Sequence, residues 1–263
     1  MKNIVLSVVV GFLASSCHIT VKKEVLQEPI VKPESIEKEP TIPEETEVWG
    51  VKPAGVIPGN DKAAPSDAIV LFDGTHFDEW VSSNEASDVK WQLNKDGSMT
   101  VIPGNGSIQT KKEFGNIQLH LEWKSPSDIQ GDGQNRGNSG IYIQKRYEVQ
   151  ILDNNDNETY TNGQVGSIYK QSIPLVMASV PSGGWNTYDI VFHAPEFDTG
   201  GNKTSSGTVT VLHNGILIQD HVELKGTTEH IGWPKNIAHG NASILLQDHG
   251  CKVSFRNIWV RKL

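Results

Sequence analysis

Cysteine is nearly absent from this 263-residue chain, with only Cys17 and Cys251 present, too few for a disulfide framework. Long apolar runs are missing as well. The longest, Ile4 to Ala14, is well short of the roughly 20 residues that a membrane-spanning helix needs, which excludes a multi-span membrane protein. Basic residues are the minority: 23 Lys and Arg against 31 Asp and Glu give a net charge of -8, so the footprint that a nucleic acid selects is lacking. There is no Gly-x-Ser-x-Gly elbow and no phosphate-cradling glycine loop. The nine histidines contain no His-x3-His pair that would suggest zinc. Gly131 to Asn138 is rich in oxygen donors but lacks the closing glutamate of a calcium loop, and reads as a flexible rim loop.

What is present begins with an export signal. Lys2 precedes the apolar run, and Ala14, Ser15 and Ser16 lead into Cys17, the order of a secretory leader. Residues 1–16 are therefore expected to be removed. Leu13 to Cys17 resembles the bacterial lipobox, in which the cysteine thiol takes a diacylglycerol, and this makes Cys17 the expected membrane anchor. The competing reading is an ordinary signal peptide with an uninvolved cysteine. His18 rather than aspartate after Cys17 points to the outer membrane, facing the periplasm or the cell surface. From Cys17 to Asp67 the composition shifts to Glu, Lys and Pro, with seven of the 13 prolines after His18. Such a segment cannot bury enough apolar surface to offset ordering entropy and reads as a disordered tether.

From residue 68 onward the apolar spacing is two. Ile117, Leu119, Leu121 and Trp123 alternate with Gln118, His120, Glu122 and Lys124, the pattern of a strand with one face in a core. Asp96-Gly97 and Asn214-Gly215 mark hairpin turns between similar segments. No amphipathic helix of three turns appears. Ten or more short strands in one domain, residues 68–263, predict an all-β jelly-roll sandwich with a concave polar groove.

The densest chemistry lies in Tyr147 to Asp153. With Tyr147, Val149 and Ile151 facing the core, Glu148 and Gln150 project together on the other side. A β-bulge near Leu152 would bring Asp153 round to join them. Tyr142 and Gln144 on the preceding strand, His120 and Glu122, and Arg146 complete the expected polar groove, which suits a sugar. For an isolated Glu-x-Gln the bland alternative is a solvated sheet face.

Leu71-Phe72-Asp73-Gly74, Asn138-Ser139-Gly140-Ile141-Tyr142, Tyr147 to Asp153, Gly166-Ser167-Ile168-Tyr169, Trp185-Asn186 and Leu246-Gln247-Asp248-His249-Gly250 follow in an order that resembles the 3-keto-disaccharide hydrolase family. The resemblance implies a concanavalin A-like jelly roll, often an exported lipoprotein, that cleaves glycosides whose C3 hydroxyl has become a ketone. It implies Glu148 as base, with Glu122 and His249 as second acid or as contacts to a divalent metal ion. Gln150, Asp153, Asn138, Arg146, Tyr169, Trp185 and Gln247 would bind the sugar. Two other functions fit the same residues: a non-catalytic carbohydrate-binding lipoprotein, and a retaining glycosidase using Glu148 and Asp153.

Overall fold

The computed structural model describes residues 39–50, 52–60, 63–84 and 87–263. Cys17 and the leader lie outside the described residues. The chain forms two compact units, 1–53 and 54–263. In the first, the described residues contain one 3-10 turn, Pro43–Glu45.

The second unit is built from strands, with no α-helix among the described residues. In chain order they are β1 (Ile69–Phe72), β2 (Trp80–Ser82), β3 (Gln92–Leu93), β4 (Met99–Thr100), β5 (Ile108–Thr110), β6 (Ile117–Lys124), β7 (Ser139–Ile143) and β8 (Tyr147–Ile151). There follow β9 (Asn186–His193), β10 (Glu196–Phe197), β11 (Lys203–Ser205), β12 (Thr208–His213), β13 (Ile216–Glu223), β14 (Leu245–Leu246) and β15 (Ser254–Lys262). One sheet runs β13-β12-β9-β6-β15-β4-β3, with β1 also paired to β15; a second runs β2-β5-β14-β7-β8, and β10 and β11 pair with each other as a separate ribbon. All the pairings are antiparallel. This is the jelly-roll sandwich that the period-two pattern predicts.

Alternation explains the core. Ile117, Leu119, Leu121 and Trp123 of β6 and Tyr188, Ile190 and Phe192 of β9 are buried, as are Ile141 and Ile143 of β7 and Tyr147, Val149 and Ile151 of β8. Each such side chain contributes about 1.5–3 kcal/mol by leaving water.

The turns repeat one conformation from different sequences. Asn214 (φ 52°) and Gly215 (φ 78°) join β12 to β13, the left-handed pair that Asn-Gly favours. Between β7 and β8 the same pair of conformations falls on Gln144 (φ 53°) and Lys145 (φ 58°). Neither residue favours it, but Gln144 Nε2 donates to the Phe114 carbonyl at 2.9 Å in the interior. Gln144, expected on the groove, is thus committed to the turn.

Candidate functional site

Strand β8 is the edge of its sheet, and the edge is covered. Gln150 N donates to the Ser167 carbonyl (3.0 Å), Gly166 N to the Gln150 carbonyl (2.9 Å) and Tyr169 N to the Glu148 carbonyl (3.2 Å). On this side the segment Gly166 to Tyr169 therefore acts as an extra strand and carries Tyr169 beside Glu148. Glu148 N donates to Thr228 Oγ1 at 3.0 Å. These walls make the outer face of β7 and β8 a recess: all five residues of β8 are buried, including Glu148 (3% exposed) and Gln150 (1%).

The recess is a cavity of about 520 Å3. Glu148 and Gln150 of β8 form its floor with Tyr142 of β7, which stands directly opposite Glu148 in the register. Asn138, Tyr169, Gln247 and His249 also line it. Asn138 is held by its Nδ2, which donates to the Gln134 carbonyl at 2.7 Å. Gln247 is placed by backbone: its N–H donates to the Gly140 carbonyl (3.0 Å) and its carbonyl accepts from Ser139 Oγ (2.7 Å). His249 is exposed at the rim.

Burial pushes the Glu148 carboxyl up to about 8, and a hydrogen bond from Tyr142 works against that shift. Burial first, and the Glu148 charge second, hold the Tyr142 phenol far above its ordinary value, so it keeps its proton. Tyr169 is raised by burial and then by its hydrogen bond with Tyr160, whose hydroxyl lies 2.6 Å away. One titrating acid thus faces two phenols that stay proton donors across the whole working range. Gln150 Nε2 donates to Gln134 Oε1 at 2.9 Å; turned about its terminal bond, the same amide donates to Glu148 Oε1 (3.1 Å) and to the Ser139 carbonyl (3.0 Å). Gly140 has a specific reason to be glycine: a β-carbon there would collide with Glu148 Oε1.

The family model for the 3-keto-alpha-glucoside-1,2-lyase-like domain matches residues 67–261. The chain belongs to this family. A crystal structure described as a candidate glycosyl hydrolase from Parabacteroides distasonis ATCC 8503 is 47% identical, covering 84% of this chain and 97% of that one, with a TM-score of 0.81. A second structure, likewise described and from the same organism, is 22% identical over 75% of this chain and 94% of its own, with a TM-score of 0.55, and shows the shared fold. No curated protein matches the sequence.

In this 3-keto-alpha-glucoside-1,2-lyase-like domain, four of the sequence-predicted site residues stand away from the Glu148 cavity. Asp153 does not return to the groove, because β8 ends at Ile151 and its register with β7 runs without a bulge. Its carboxylate points inward, where Ser125 Oγ donates to it at 2.6 Å, Asn155 N at 3.1 Å, and Arg136 lies 3.5 Å away. Glu122 belongs to β6 in the other sheet, where Arg256 Nε (2.6 Å) and Asn257 Nδ2 (2.9 Å) hold it; His120 shares that face. Arg146 caps the β7–β8 turn, its Nη1 donating to the Gln144 carbonyl at 2.9 Å, and lines a different cavity with His239. The Trp185 face is already occupied by the Arg256 guanidinium (4.1 Å from the ring centre) and Lys124 Nζ (4.6 Å). A face so covered is not a platform for a sugar ring.

The cavity also holds Gln134, Asn135, Tyr160, Lys170, Thr228 and His230, which sequence reasoning did not single out. Gln134 comes from the expected rim loop, part of which winds into a 3-10 turn, Gly133–Asn135. Lys170 Nζ donates to the His230 carbonyl at 2.6 Å and lies 5.4 Å from the Tyr169 ring centre. Among the described residues no group of three or more His, Cys, Asp or Glu side chains is gathered as a metal site; Glu122 and His249, which the resemblance offers as metal contacts, line separate cavities.

Proposed function

We propose that this chain cleaves 3-keto-glycosides by elimination across C1 and C2, followed by hydration, with Glu148 as the proton-transfer group. The observation that carries the reading is a single buried carboxyl, raised to about 8, in a sugar-sized polar cavity with two permanently protonated phenols. A ketone at C3 acidifies the C2 hydrogen. Ionised Glu148 takes that proton, the C2–H electron pair becomes the C1=C2 double bond, and the C1–O bond breaks. The departing oxygen is protonated, and water then adds its hydroxyl to C1 and a proton to C2. Charge that develops on the C3 oxygen during proton removal is met by phenolic O–H donors, with Tyr142 and Tyr169 as the candidates. A carboxyl with its pKa near the working pH suits both directions of transfer.

A retaining glycosidase needs a second carboxylate about 5–5.5 Å from the first, across one cleft. Asp153 is not among the residues lining the Glu148 cavity, which favours the elimination reading. The family's description as lyase-like and the 47% identical structure described as a candidate glycosyl hydrolase support carbohydrate cleavage. The test offers a 3-keto-disaccharide and its unoxidised parent side by side. Cleavage of the oxidised sugar alone is expected; cleavage of the parent alone rejects the proposal.

We further propose that the domain, residues 68–263, is exported and held at the outer membrane through lipid on Cys17 and the Pro- and Glu-rich tether. Lipid labelling that is lost in Cys17→Ala supports this; unchanged labelling overturns it.

A further inference from the structure

The outer face of the eight-stranded sheet carries a second cavity of about 500 Å3, within the roughly 300–1,000 Å3 range of small-molecule sites. Its floor is the polar side of β6, β9 and β15, presenting Gln118, His120, Glu122, Thr187, Asp189 and Asn257. Its roof is a loop that closes on itself: Asn60 and Ala63 exchange both backbone hydrogen bonds (2.8 and 3.2 Å), and Ser66 N donates to the Ile57 carbonyl at 3.1 Å. Gly59 of that loop has no room for a β-carbon, with the Ala63 carbonyl and Pro65 against it. Among the described residues, Val56, Pro58, Gly59, Asn60 and Pro65 span the gap above the floor.

The floor is pre-arranged. Asn257 holds a φ of 48° where the β15–β6 register shifts between Arg256 and Trp259, a left-handed conformation that asparagine accepts more readily than most residues. Its Nδ2 donates to Glu122 Oε1 (2.9 Å) and reaches His120 Nε2 at 3.3 Å. His120 is fixed from two sides: Nδ1 bonds Asp189 Oδ1 at 2.7 Å, and the ring stacks on Trp259 with centroids 5.0 Å apart.

Charge decides what such a floor can take. Glu122 is paired with Arg256 (2.6 Å) and Arg261 with Asp67 (2.7 Å), while Asp189 is hydrogen-bonded to His120 (2.7 Å). An anionic ligand would have to displace a carboxylate from one of the two arginines. Arg261 Nη1 donates to Gln118 Oε1 at 2.8 Å, so among the described residues hydrogen-bonding capacity remains at Gln118 Nε2, the second Asp189 oxygen and the Asn257 amide oxygen, beside the Trp259 ring. We infer that this cavity is a second, non-catalytic binding site for a neutral saccharide, on the opposite sheet from Glu148. It stands whether or not the Glu148 cavity performs elimination.

The test is an NMR titration of the 15N-labelled full chain carrying Glu148→Gln with glucose, maltose and cellobiose. The side-chain amides of Gln118 and Asn257 and the Trp259 indole N–H report on the second cavity; Gln150 and Gln247 report on the first. Saturable shifts at the former are expected, weakened at least about tenfold by Thr187→Trp, which fills the cavity, and by Asn257→Gly, which keeps the positive φ and removes the amide. No saturable shift there up to about 100 mM sugar, or shifts that survive both substitutions, overturns the inference. Preferential saturation of the same groups by inorganic phosphate overturns the neutral-ligand assignment.

Discussion

Glu148→Gln gives the sharpest thermodynamic prediction. In the fold this carboxyl is raised from 4.5 to about 8, with burial as the first cause. Between those two values the native chain holds a proton that the unfolded chain has lost, so stability falls as pH rises. Below pH 4.5 both states are protonated and the fold keeps its full stability; above 8 the penalty is constant. The slope is at most about 1.4 kcal/mol per pH unit, a ceiling of about 5 kcal/mol over the window. Water entering through the cavity mouth lowers it, and we expect about 2–4 kcal/mol. Glutamine has the same shape and does not titrate. The variant should therefore pull ahead of the parent by roughly 5–12 °C in Tm between pH 4.5 and 8.5, measured by scanning calorimetry at intervals across that range. Parallel Tm curves for the two proteins would refute the claim that Glu148 is desolvated. The same group sets activity: kcat/KM on the 3-keto substrate should rise about tenfold per pH unit up to about pH 8 in the parent and be lost at every pH in the variant.

Tyr142→Phe removes the hydrogen bond that opposes the Glu148 shift, so the rising limb of the pH–rate profile should move to higher pH; an unchanged limb contradicts the pairing. Gly140→Ala places a methyl against Glu148 Oε1 and should cost about 1–3 kcal/mol in urea unfolding with a marked loss of kcat; wild-type stability and rate together would show the contact to be slack. Asp153→Asn breaks a buried, hydrogen-bonded carboxylate and should destabilise by about 2–4 kcal/mol, while kcat of the protein that stays folded falls by less than about tenfold; loss of kcat at full stability would restore Asp153 to the chemistry. Burial lowers His213 from 6.5 to about 4. The native state excludes a proton that the unfolded chain takes up, so stability should fall as pH drops from 6.5 to 4, and His213→Gln should flatten that loss in acid unfolding curves.

The fold was legible because period-two alternation needs only apolar and polar residue types, and β6 and β8 display it without interruption. Hairpin turns were legible where glycine supplied the positive φ, as at Asn214-Gly215, and illegible at Gln144-Lys145, where a tertiary bond to the Phe114 carbonyl holds the conformation in place of a local preference. Alternation also placed Glu148 and Gln150 on one side. It could not say which polar faces meet, since that depends on which sheet each strand joins. Polar alternation therefore puts Glu122 and His120 on a groove-like face without showing that β6 runs in the opposite sheet from Glu148. No bulge turns Asp153 to the Glu148 side, because β8 ends at Ile151. Tyr160, Lys170, Thr228 and His230 reach the cavity from loops, and loops carry no periodicity that would aim a side chain.

Cleavage of a 3-keto-disaccharide in deuterium oxide, followed by NMR at C2 of the released sugar, examines the proposed chemistry most directly. Elimination and rehydration through Glu148 predict deuterium at C2 in step with product formation, with both absent in Glu148→Gln. Product that forms at full rate with its original hydrogen at C2, or in the absence of the Glu148 carboxyl, would contradict the account.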